Sequence, residues 1–73
     1  RRGLGRRILQ GFHHAALQHG ATEAFLEVAE TNDRAIRLYE SAGYFRIAER
    51  PGYYRLTNGQ AVAALIYRRP LIA

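Results

Sequence analysis

The sequence contains no cysteine, which excludes disulfide staples, thiolate metal sites and a cysteine nucleophile. It contains no lysine either. All 11 basic side chains are arginines, and against 6 acidic residues they leave a net charge of +5. A surface of that sign favours anionic partners: nucleic acid, a nucleotide or an acidic peptide. The aromatic residues are mostly tyrosines gathered late in the chain, and they do not interleave with arginine as a base-stacking sheet requires. Nucleic acid is therefore disfavoured. No apolar run approaches the ~20 residues of a membrane span, so no membrane partner is expected. The first residues do not show the charged–apolar–small order of a signal peptide. Together with the missing cysteines, this suits a cytoplasmic protein. His13, His14 and His19 lack the i, i+4 pairing and acidic partners of a metal-binding helix, so they read as surface or packing residues and no metal is expected.

What is present is an ordinary globular composition, 48% hydrophobic and 23% charged over 73 residues. A chain of this length buries only about 60% of its unfolded surface, so a core built from it alone is marginal. Leu4, Ile8, Leu9, Phe12 and Ala16 follow helical spacing, with Arg6, Arg7, Gln10 and His13 on other faces, and Gly20 is a natural stop. "EAFLEVA" (23–29) is short, apolar and partly β-branched, which predicts a strand buried on both faces. Thr31, Asn32 and Asp33 are N-cap candidates for a second helix with Ile36, Tyr39 and Ala42 near one stripe. Gly43 closes that helix, and Tyr44 falls where a Schellman motif places its apolar contact. "YFRIAER" (44–50) predicts a strand ended by Pro51-Gly52, and Asn58-Gly59 a hairpin turn into a third strand, 60–69.

The order is α-β-α-β-β. A strand–helix–strand unit wants a parallel pair, and the last strand returns antiparallel, so a mixed sheet is expected. A glycine-rich helix start normally follows a strand, and here the glycines come first. The 73 residues therefore read as a single partial α/β domain, the continuation of a longer one.

Three places could carry chemistry. "RRGLGRRILQ" puts four arginines beside Gly3 and Gly5 at a helix start, where exposed cations typically cost about 0.3–1 kcal/mol each against the helix dipole. Either they all face water, or an anion binds the amides there. No Gly-Lys-Ser/Thr follows, which excludes a Walker loop, and Ile8 stands where a dinucleotide fingerprint needs glycine. Glu27 sits among Phe25, Leu26, Val28 and Ala29. If buried it would be a carboxylate made basic by desolvation; otherwise it faces solvent at a sheet edge or pairs with an arginine. "RPGYYR" (50–55) sets Tyr53 and Tyr54 by a proline turn, as a rim for a peptide substrate or a rigid loop.

Together these stretches resemble the GNAT superfamily of N-acetyltransferases. "RRGLGRRIL" is similar to its acetyl-CoA loop, Gln/Arg-x-x-Gly-x-Gly/Ala, with the opening Gln/Arg falling before residue 1. "LEVAETNDRAIRLYESAGY" resembles its next strand and helix, and with Arg-Pro-Gly-Tyr-Tyr is similar to the RimI type, which acetylates a ribosomal protein's N-terminal amine. The resemblance implies the C-terminal half of a GNAT fold. It implies that the amides around Gly3, Leu4, Gly5 and Arg6, with Arg1 and Arg2, hold the pyrophosphate of acetyl-CoA. By the same resemblance Asn32 contacts the pantetheine arm, Tyr39 protonates the departing thiolate, and Glu27 takes a proton from the attacking amine through water. The amine would attack the thioester directly in a ternary complex, without a covalent enzyme intermediate. The acceptor so implied is a protein N-terminus. A small-molecule amine, a non-catalytic acyl-CoA-binding module or a basic nucleic-acid adaptor are the competing readings. Without the superfamily's N-terminal strands the piece alone should be poorly active, and a second copy could complete the sheet.

Overall fold

The computed structural model describes residues 2–71, and it lays two helices on one face of a three-stranded sheet. In chain order these are α1 (Arg2–Gln18), β1 (Glu23–Ala29), α2 (Asp33–Ser41), β2 (Phe45–Arg55) and β3 (Ala61–Pro70). No helix among the described residues is long and apolar enough to cross a membrane.

Both helices end in the same way. After α1, Gly20 takes φ +87° while its N–H bonds Leu17 O and Ala21 N–H bonds Ala16 O. After α2, Gly43 takes φ +94°, its N–H bonds Glu40 O, and Tyr44 N–H bonds Tyr39 O. These are two Schellman caps. The apolar contact that accompanies such a cap is here Tyr44 against Tyr39, with ring centroids 5.8 Å apart. Asn32 is the N-cap of α2, its Oδ1 accepting from Ala35 N–H at 3.2 Å.

The sheet order is β1-β3-β2, and both ladders are antiparallel. The parallel neighbours expected of β1–α2–β2 are therefore not neighbours. β1 and β2 run the same way, but β3 folds back off the hairpin and slots between them. β2 also continues through Pro51-Gly52 to Arg55, where the sequence suggested a stop. The register shifts between Arg50 and Tyr54, so the turn-forming residues make a bulge with Gly52 at φ +64°. The hairpin lies where Asn58-Gly59 predicts it, with Leu56 N–H bonding Gln60 O and Asn58 Oδ1 accepting from Gln60 N–H.

The core lies between the helices and the sheet: Ala24 and Val28 of β1, Leu65 and Tyr67 of β3, Tyr44 and Leu71. Strand β1 is not buried on both faces. Ala24 and Val28 point into the core while Phe25 and Glu27 are exposed on the other side. The buried face of α1 also differs from the expected stripe. Leu4, Ile8 and Phe12 are more than half exposed, and the helix packs instead through Leu9, His13, Ala16 and Leu17. Gly5 explains the rotation. A Cβ there would lie 3.3 Å from Leu38 Cδ2, so α2 packs through Leu38 onto the glycine side of α1.

Candidate active site

α1 begins at Arg2 and takes Gly3, Leu4, Gly5 and Arg6 into its first turns, so the glycines lie in the helix rather than in a loop before it. The first four N–H groups of a helix have no partner within it. No acidic residue occupies the first turn, and nothing stands within 4 Å of where a Cβ on Gly3 would be. Among the described residues this first turn therefore carries no carboxylate that would repel an anion. Arg6 is held to α2: its Nη2 donates to Ser41 Oγ at 2.9 Å, and Ser41 Oγ donates to Leu38 O at 2.7 Å. Arg1 lies outside the described residues.

Asn32 and Tyr39 share one face of α2. Seven residues are two turns, about 10 Å along the axis. Capping uses Asn32 Oδ1 and leaves its Nδ2 to donate outward. Tyr39 is half-buried, and its ring rests on Tyr44. Tyr44 in turn is buried and fixed by His13, whose Nε2 lies 2.7 Å from the Tyr44 hydroxyl. Arg69 Nη1 meets the other ring nitrogen, Nδ1. A guanidinium can only donate, so Nδ1 accepts and the Nε2–H donates to Tyr44. Burial, then the Arg69 charge, lowers the His13 pKa from 6.5. Burial raises that of the Tyr44 hydroxyl.

Glu27 is exposed on β1, an edge strand among the described residues, which matches the solvent-facing alternative rather than the buried one. The only ion pair among the described residues joins Arg68 to Glu23, leaving the solvent-facing alternative. Glu27 lies opposite Ile66 on the face away from both helices. Tyr54 lies opposite Val62, four residues along β3 and therefore on that same face. Tyr53 is exposed, packs edge-on against Tyr54 at 5.4 Å, and carries the Arg50 guanidinium 5.3 Å above its ring. The structure thus places Asn32 at the start of α2 and Tyr39 two turns along it, and Glu27 and Tyr54 on one sheet face. The tyrosine pair sits at the opposite edge of the sheet from Glu27.

Three polar contacts escaped sequence reasoning. His13 is the buried polar side chain of the core, so of the surface and packing readings the packing one holds, and what was missed is its polar contact with Tyr44. The signal was its spacing from Leu9, Ala16 and Leu17. Glu30 Oε2 accepts from Ala63 N–H at 2.7 Å, tying the end of β1 to β3. The Tyr67 hydroxyl donates to Glu40 Oε2 at 3.2 Å, and burial followed by that bond raises its pKa. No spacing rule marks the last two, because their partners are 33 and 27 residues away.

A family model for the acetyltransferase (GNAT) family matches residues 1–44. The [ribosomal protein bS18]-alanine N-acetyltransferase of Escherichia coli K12 is 36% identical over 66 residues, 90% of this chain and 45% of that protein. The N-alpha-acetyltransferase RimI of Mycobacterium tuberculosis is 40% identical over 60 residues, 82% of this chain and 36% of that protein. The crystal structure of the ribosomal-protein-S18-alanine N-acetyltransferase from Escherichia coli superposes with a TM-score of 0.88 at 36% identity, covering 100% of this chain and 46% of that one. The chain spans less than half the length of these relatives. By sequence and by fold it belongs to the GNAT family of acetyltransferases.

Proposed function

We propose that this chain is the acetyl-CoA-binding part of an N-acetyltransferase whose acceptor is a protein N-terminal amine. The observation that carries the reading is the face of α2 with Asn32 and Tyr39 two turns apart, in a chain 36% identical to an alanine N-acetyltransferase acting on a ribosomal protein.

The residues suit the cofactor. The first turns of α1 contain the amides of Gly3, Leu4, Gly5 and Arg6, with no acidic side chain in the first turn to repel a pyrophosphate. Arg1 and Arg2 add charge by their place in the sequence. Bound acetyl-CoA supplies an electrophilic thioester carbonyl. Asn32 Nδ2 would donate to the amide-bearing arm of acetyl-CoA, leaving its Oδ1 to cap α2. The Tyr39 hydroxyl, its ring held by Tyr44, would protonate the departing thiolate of coenzyme A. Glu27 accepts the proton of the attacking amine through water, because its exposed carboxylate lies on the other face of β1. Direct attack is consistent with a chain lacking a cysteine nucleophile.

The sheet face also supports a peptide rather than a small amine. From Glu27 to Tyr54 is four residues along β3 and two strand spacings across, roughly 13 Å by 10 Å. That span fits about five extended residues running from the amine to the Tyr53–Tyr54 rim. β1 is an edge strand among the described residues, so a further strand of the protein, or a second copy, can add there.

The test is acetyl transfer from acetyl-CoA to a synthetic alanine-initiated peptide, read by mass spectrometry. A single acetyl on the α-amine is expected. Labelling of free polyamines or aminoglycosides at higher kcat/KM would overturn the acceptor assignment.

A further inference from the structure

A half-open cavity of about 210 Å³ lies between α1, the end of α2 and the end of β3. Its charged lining is entirely positive: Arg6 from α1 and Arg69 from β3, with Gln10, Ser41 and His13 around them. Each group is already oriented. Arg6 is pinned to Ser41, whose own hydrogen goes to Leu38 O. Arg69 lies across Gly43, where a Cβ would come within 3.4 Å of its Nε, and its Nη1 is spent on His13 Nδ1. The His13 acceptor is thereby used, and its remaining N–H faces Tyr44.

Two guanidiniums bring ten N–H donors between them, and two of these are engaged as described. Among the described residues neither arginine meets a carboxylate. The cavity therefore offers donors and positive charge with hardly an acceptor to match. The volume equals about seven waters, room for a tetrahedral oxyanion with part of its hydration.

We propose that this cavity is a phosphate-group site, bridging Arg6 and Arg69 and joining α1, α2 and β3 through one ligand. It does not depend on the proposed acetyl transfer. The phosphate group comes either from free inorganic phosphate or from the 3′-phosphate of a coenzyme A bound at the start of α1, where Arg6 also lies.

The test follows the His13 ring resonance in histidine-labelled protein, while sodium phosphate replaces sodium chloride at constant ionic strength. A saturable shift with Kd on the order of 1 mM or tighter is expected. Arg69→Gln should weaken it at least about tenfold. Should that variant fail to fold, Gln10→Glu puts a like charge at an exposed position on the lip and should weaken phosphate by a similar factor. Coenzyme A and its 3′-dephospho form separate the sources. If Gln10→Glu weakens only the former, the bound group is the cofactor's own phosphate; if it weakens neither and still weakens inorganic phosphate, the anion is free. A shift that chloride reproduces, no saturable shift at all, or undiminished phosphate binding in the folded variants overturns the site.

Discussion

Tyr39 and Glu27 divide the proposed proton transfers, and they differ in how firmly the protein holds them. Tyr39 rests on Tyr44, which His13 and Arg69 fix from behind, so its hydroxyl is carried by a packed stack. Removing only that hydroxyl, in Tyr39→Phe, should lower kcat at least about a hundredfold and leave acetyl-CoA affinity within about twofold. Equal losses in both would make it a binding residue. Glu27→Gln should lower kcat at least about tenfold and leave acetyl-CoA affinity within about twofold; an unchanged kcat would leave the carboxylate without a role. His13 adds a stability prediction. Its folded pKa is lowered from 6.5, so below that pH the unfolded chain binds the proton first and folding is penalised. Denaturant midpoints should be highest above about pH 6.5 and decline as the pH falls, and His13→Gln should flatten that decline.

Among the elements, the helix ends were the most legible. Gly20, Asn32, Gly43 and Tyr44 each do what their local chemistry dictates, because a cap is settled within six residues. On α1 two apolar rows compete, Leu4, Ile8 and Phe12 against Leu9, Ala16 and Leu17, and the first has the larger side chains while the core uses the second. Close approach at Gly5 decides between them, and that depends on Leu38, far along the chain. The glycines then separate by substitution. Gly11→Ala, in mid-helix with nothing within 4 Å, should raise stability by about 1 kcal/mol. Gly43→Ala, at φ +94° against the Arg69 side chain, should lower it by roughly 1–2 kcal/mol. Equilibrium unfolding of both variants measures the difference; the same sign for both would contradict the cap geometry.

At the scale of the molecule, the sequence reading reached the element order and the family but not the strand order. Nothing local announces that β3 inserts between β1 and β2. The insertion is a long-range pairing, worth seven rungs with β1, and it sets Glu27 and Tyr54 on one face. Of the candidate site, Asn32 and Tyr39 could be placed together from helical spacing alone. The exposure of Glu27 could not, since an apolar run in β1 does not say which of its faces is covered. The unmatched apolar side chains Leu4, Ile8 and Phe12 on α1 and Phe25, Phe45 and Ile47 on the sheet lie outside the core of the described residues. The central claim is that the first turns of α1, together with Asn32 and Tyr39 of the α2 segment, bind acetyl-CoA. Titration calorimetry of the protein with acetyl-CoA measures this directly. Saturable one-to-one binding with Kd on the order of 10 μM, weakened at least tenfold by Asn32→Ala, is the expected result. No binding up to millimolar cofactor would contradict the account.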